Sequence, residues 1–163
     1  MSDPSKHATY SSARARLDAL LVGEDDWIAA LATIASELHG AFGWFSWTGF
    51  YRVARPEMLI VGPYQGSHGC LRIPFSRGVC GAAARTRKTQ RVDDVSRFEG
   101  HIACSPDTRS EIVVPVLGPR GDVLAVLDVD ATRPAAFDDV DGDELESICR
   151  DLARRFPSGE LRR

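Results

Sequence analysis

The chain has 163 residues, 44% of them hydrophobic and 26% charged, with a formal net charge of -3. That is the size and composition of one ordinary globular domain with a real core, and the charge speaks against nucleic-acid backbone binding as a main activity. No run of about 18 apolar residues offers a membrane span, and "MSDPSKHATYSSARAR" lacks the apolar stretch of a secretory signal. A cytoplasmic location is therefore expected, where thiols stay reduced and a disulfide is transient and catalytic.

In chain order, residues 1–9 read as a polar, flexible N-terminus, 10–158 as a single domain and 159–163 as a tail. Helical spacing covers Tyr10 to Leu21, then Asp25 to Phe42, where Trp27, Ile28, Leu31, Ile34, Ala35 and Leu38 recur. Asp25 or Asp26 caps the second helix, and Gly40 and Gly43 end it. "FSWTGFYRV" and "MLIVGPYQG" read as strands joined by a turn at "ARPE", followed by a short strand "LRIPF". "GVCGAAARTRKT" changes to a helical composition, and "QRVDDV" reads as an edge strand. "SEIVVPVLGPRGDVLAVLDVDA" is the strongest hairpin, two Val/Leu-rich runs around Gly118-Pro119-Arg120-Gly121. An amphipathic helix from about Asp138 to Phe156 closes the chain.

Strands that follow one another without intervening helices predict an α+β fold with a mainly antiparallel sheet. The terminal helices cover one face, and residues 62–110 form a ligand-enclosing lid on the other. Three of the four cysteines fall in that lid: Cys70, Cys80 and Cys104, at intervals of 10 and 24. Buried core residues, a metal site completed by His68 or His101, and redox chemistry are the competing readings. The close paired spacings of zinc sites are missing, so redox chemistry fits best and no metal is expected. Cys80 opens a predicted helix, whose dipole favours a lowered thiol pKa. Cys149 lies on the apolar face of the last helix and reads as core.

Carboxylates form a second pattern. Glu111 opens one hairpin strand, and Asp128 and Asp130 lie two apart on the other, so those two share a face. An even hairpin loop brings Glu111 opposite them; an odd one sends it to the other side. Such carboxylates, costly if buried unpaired, suggest negative charge awaiting a cation, with one carboxyl held protonated. Trp47, among Trp44, Phe50 and Tyr51, supplies an aromatic wall.

The runs "WTGFY", "GPYQG", "CLRIPFSRGVCG", "HIAC", "SEIVVPV" and "VLDVD" together resemble the free methionine-(R)-sulfoxide reductases, enzymes built on a GAF domain. The resemblance spans about Trp47 to Asp130 and includes both cysteine intervals. It implies a GAF-like fold, Cys104 as nucleophile, Cys70 as main resolving thiol and Cys80 as an auxiliary one. Glu111, Asp128 and Asp130 match the acid and substrate-binding residues, and Trp47 the aromatic that contacts the methyl group. Ser105 departs from the family pattern, which has an acidic residue after the nucleophile. The implied reaction converts free L-methionine (R)-S-oxide to L-methionine through a sulfenic acid and a disulfide. Thioredoxin is the implied reductant, no cofactor is required, and a homodimer is compatible with the pattern. The rival readings are a non-catalytic GAF sensor for a small ligand and a redox-responsive interaction module. A sensor has no need of three loop thiols.

Overall fold

A computed structural model describes residues 4–159, so residues 1–3 of the expected flexible terminus and 160–163 of the tail lie outside the described part. Four helices and six strands follow in the order α1 (Pro4–Leu20), α2 (Trp27–Ala41), β1 (Phe45–Arg55), β2 (Met58–Gly66), β3 (Arg72–Pro74), α3 (Gly78–Thr86), β4 (Gln90–Val92), β5 (Ser110–Leu117), β6 (Val123–Ala131) and α4 (Asp139–Arg155). The strands form one sheet ordered β3-β2-β1-β6-β5-β4, and every neighbouring pair is antiparallel.

Several boundaries move from the sequence-based reading. α1 begins at Pro4, so residues 4–9 are helical rather than loose. Lys6 explains this: its ammonium pairs with Asp138 and Asp141 at the start of α4. Asp26 caps α2 by accepting from the Ala29 N–H, but Gly40 sits inside the helix and Phe42 ends it. β1 runs on to Arg55, shrinking the expected turn to Pro56-Glu57. The span 62–110 is less of a lid than expected, because it holds the end of β2 together with β3, α3, β4 and a 3-10 turn at Val95–Arg97.

Strand side chains alternate between faces, and the two faces carry two cores. On one, Ile112, Val114, Val116, Leu127, Val129 and Phe50 pack beneath α1, α2 and α4, with Trp27, Leu31, Ile34, Leu145 and Leu152. On the other, Trp47, Tyr51, Val113 and Val126 pack with Leu59, Ile73, Val79, Cys80 and Ala83 under α3 and the loops. Terminal helices on one face and loops on the other were expected; α3 joins the loop side.

Close packing fixes α3. A Cβ on Gly81 would lie 2.6 Å from the Pro74 carbonyl oxygen and 2.9 Å from that of Phe75. Backbone cannot yield as a flexible side chain does. Gly81→Ala is therefore expected to destabilise the fold by about 1–3 kcal/mol, the usual range for overpacking. A denaturant titration measures this, and an unchanged midpoint would contradict the contact.

Candidate active site

The hairpin register builds the site. Glu111 pairs with Asp130 and Val113 with Asp128 across β5 and β6. On the other flank of β6, Trp47 pairs with Asp130 and Gly49 with Asp128. Paired residues share a face, so Trp47, Asp130 and Glu111 form a row across three strands, with Asp128 one step behind. The connection between Leu117 and Val123 has five residues, an odd number that alone would send Glu111 to the helical face. A register shift after the Leu117–Val123 pair inserts Leu124 as an extra residue, and Val116 pairs with Ala125. That bulge restores the even count and brings the carboxylates together.

A small cavity opens over this row. Its lining includes Cys80, His101, Cys104, Thr108, Glu111, Asp128 and Asp130. Cys104 is disulfide-bonded to Cys70 with a Cα–Cα distance of 5.2 Å, which places a covalent bridge at the cavity wall. The Cys104 loop is tied down where the Gly78 N–H donates to the Gly100 carbonyl at 3.0 Å and the Cys104 N–H to that of Ile102 at 3.0 Å. The loop before Cys70 is anchored too: the Trp47 Nε1–H donates to the Ser67 carbonyl at 3.0 Å. The Trp47 ring is buried, stacked with Tyr51 and Tyr64 at 5.6 and 5.1 Å. It backs the bridge's neighbourhood without lining the cavity itself. Gly49 makes room for that stack, since a Cβ there would meet Tyr64 at 2.3 Å and the Trp47 ring at 2.7 Å.

Burial governs the charges. It pushes Asp128 up to about 7, opposed by hydrogen bonds from Cys80 and Glu111. Glu111 rises well above the carboxylate range through burial and the charges of Asp128 and Asp130. Burial and Asp128 likewise raise Asp130, against a hydrogen bond from Thr108. Two carboxyl groups that share a hydrogen bond must hold a proton between them, and Glu111 is the one that keeps it. The Cys80 Sγ donates to Asp128 Oδ2 at 3.3 Å, whereas Asp128 Oδ1, also buried, finds no partner among the described residues. An unpartnered buried oxygen is an invitation to a donor.

Cys80 overturns one expectation. It occupies the third position of α3, yet burial and the neighbouring carboxylates push its thiol well up rather than down. A helix terminus is worth about 0.3–2 kcal/mol, whereas burying an uncompensated charge costs several. Desolvation wins. Cys80 is a neutral donor to Asp128 in this state, not a poised thiolate. The ligand atoms of Cys80, Glu111 and Asp128 lie within 4.8 Å of one another, a donor set that could hold a metal ion. Of the two histidines weighed as metal ligands, His68 is exposed and does not line the cavity, but His101 does. Two contributors escaped the sequence reading: His101 as a neighbour of Glu111 and Thr108 as a donor to Asp130. Both lie in the cysteine loop or its continuation, and that shared loop was the available signal.

The GAF-domain family profile matches residues 24–155. Free methionine-R-sulfoxide reductase of Saccharomyces cerevisiae is 40% identical over 134 residues, 78% of this chain and 74% of that one. The Escherichia coli protein of the same name is 37% identical over 145 residues, covering 89% and 87%. A crystal structure of free methionine-R-sulfoxide reductase from Neisseria meningitidis with its substrate superposes with a TM-score of 0.88. It has 41% identity and covers 98% of this chain and 94% of its own.

The chain belongs to the free methionine-R-sulfoxide reductase family, built on the GAF domain. Within this family member, the raised Asp128 has a measurable consequence. The folded chain keeps the Asp128 proton up to about pH 7, but the unfolded chain releases it near the ordinary aspartate value of 3.8. Between those values the folded state binds the extra proton, so stability falls as pH rises and the loss is complete above about 7. Asp128→Asn removes the penalty. Its thermal midpoint should match wild type near pH 4 and exceed it progressively towards pH 8, by the equivalent of roughly a few kcal/mol. Thermal denaturation across that range decides it, and a pH-independent difference would contradict the assignment. In the same folded protein, Cys80 and Cys149, both buried with raised thiols, should resist alkylation at neutral pH until denaturant is added. Mass mapping of iodoacetamide adducts reads this out.

Proposed function

We propose that this protein reduces free L-methionine (R)-S-oxide to L-methionine. The Cys70–Cys104 bridge beside a buried carboxylate row carrying an unpartnered oxygen is the observation that carries the reading. Membership in the family, and the substrate complex of the Neisseria meningitidis relative, support it.

The chemistry starts from the charges. A free amino acid brings an ammonium group, for which Asp128 and Asp130 are the partners, Asp128 Oδ1 being the acceptor left open. The Trp47 side of the site takes the methyl end. Glu111, still protonated, donates to the sulfoxide oxygen and makes the sulfur electrophilic. In the reduced protein the Cys104 thiolate attacks that sulfur. The sulfur–oxygen bond breaks, the oxygen passes with the Glu111 proton to Cys104 as a sulfenic acid, and the thioether methionine leaves. The Cys70 thiol then displaces water from Cys104 and forms the disulfide. A thioredoxin-like dithiol of the cytoplasm restores both thiols by exchange and becomes a disulfide itself. Cys80, the auxiliary thiol in the family pattern, acts here through its hydrogen bond to Asp128, and no cofactor enters the cycle.

Two measurements test this. Cys104→Ser should release no methionine even with dithiothreitol, because a neutral hydroxyl is a far weaker nucleophile than a thiolate, whereas Cys149→Ser should stay active. N-acetylation deletes the substrate ammonium and leaves buried carboxylates unpaired. At a cost of about 3–5 kcal/mol, that should lower kcat/KM by a factor of roughly 100 or more. Equal rates on the free and acetylated R sulfoxides would refute the charge recognition, and turnover by Cys104→Ser would refute the nucleophile.

A further inference from the structure

Glu111 has a supply problem. Its side chain is 8% exposed, and the reductase reading, on which this inference rests, consumes its proton in every turnover. Across the cavity from it stands His101, whose Nε2 lies 3.8 Å from Glu111 Oε2. That is roughly 0.8 Å beyond a hydrogen bond. The His101 side chain is 18% exposed, so it reaches further towards solvent than the carboxyl it faces. His101 and Cys104 lie three residues apart in one loop and line the same cavity. The loop is fixed at both ends of this stretch, where the His101 N–H donates to the Phe98 carbonyl and the Cys104 N–H to that of Ile102.

We propose that His101 reprotonates Glu111 between turnovers, carrying to it the proton that the Cys104 thiol sheds. The balance closes without an outside acid. Reduction of the bridge by the dithiol leaves Cys104 as a thiol. Ionisation to the attacking thiolate releases one proton, which the imidazole nitrogen accepts. The resulting imidazolium passes it to the Glu111 carboxylate, and both groups are neutral again before the next sulfoxide binds. Burial lowers the His101 pKa, so the ring gives up a proton readily once Glu111 is ionised. The titratable groups that line the cavity with the ring are Cys104 on its own loop, Cys80 on α3, Glu111 on β5, and Asp128 and Asp130 on β6. Of these, Glu111 makes the close approach to the ring, its Oε2 lying 3.8 Å from Nε2. His101 thus acts through Glu111, as a positioning and proton-supply residue rather than one that meets the sulfoxide.

The test uses the whole chain, free R sulfoxide and excess dithiothreitol at pH 8, with wild type, His101→Ala and His101→Gln side by side. Steady-state kcat should fall by about 100-fold in both variants, the usual worth of a proton-transfer group. KM should stay within about two-fold, since ground-state binding is untouched. The first methionine released by pre-reduced enzyme should appear at the wild-type rate, because Glu111 begins protonated. Added imidazole should restore kcat to His101→Ala. In a Glu111→Gln background, removing His101 should cost nothing further. A kcat within two-fold of wild type, an equal loss in the first turnover, or failure of imidazole rescue would each overturn the proposal while wild-type turnover leaves the reductase reading standing. A wild-type protein that releases no methionine would overturn both.

Discussion

One extra residue in β6 sets the chemistry of this protein. Leu124 shifts the register of the β5–β6 hairpin, and through that shift Glu111 faces Asp130 on the loop side of the sheet. Remove the bulge and the alternation reverses for all of β5: Glu111 would point among the helices, and Ile112 and Val114 would point into the cavity. The meeting of Glu111 with Asp128 and Asp130 and the hydrophobic seating of α4 all depend on that single count. Such a constraint is strongly enforced, because the helical core of Ile112, Val114, Val116, Leu127 and Val129 accepts no other register.

Two buried aspartates show how the same side chain serves structure or chemistry. Asp141 is fully buried and fully used: Lys6 pairs with it, the Tyr10 hydroxyl donates to Oδ1 at 2.8 Å, and the Asp138 N–H donates to Oδ2 at 2.9 Å. Its charge is compensated, and it clamps α1 to α4. Asp128 is almost as buried, yet one oxygen is left open and its neighbours are other acids. The fold tolerates that deficit because the rest of the layer is well packed. Compensation marks a structural charge; its absence marks a site.

Much of this was legible in the sequence, for reasons that can be stated. Helix α4 declared itself through its apolar period, and the structure adds a reciprocal capping box between Asp138 and Asp141 at its start. Asp128 and Asp130 had to share a face because strands have a period of two. What escaped depended on contacts distant in sequence. Residues 4–9 looked like a loose terminus because their partners, Asp138 and Asp141, come more than 130 positions later. The parity of the hairpin was undecidable, since a bulge leaves no clear mark in a Val/Leu-rich run. Cys80 was misread on electrostatics because a helix start is local, while the desolvation that outweighs it comes from the sheet beneath. Trp47 was read as an aromatic wall of the site, but the stack with Tyr51 and Tyr64 sets it behind the cavity wall.

The Cys70–Cys104 bridge has a consequence for order. Cys104 lines the cavity, while Cys70 is followed at once by Leu71, which is 66% exposed. The bridge therefore stands at a boundary: in the proposed cycle the oxygen donor approaches from the carboxylate side and the electron donor from the solvent side. In that cycle, while the two sulfurs are joined, Cys104 has no free thiol and a second sulfoxide finds nothing to react with. While they are apart, a reductant finds no bond to exchange. The two half-reactions of the proposed cycle thus exclude each other in time, and that cycle calls for no gate between its oxidant and its reductant.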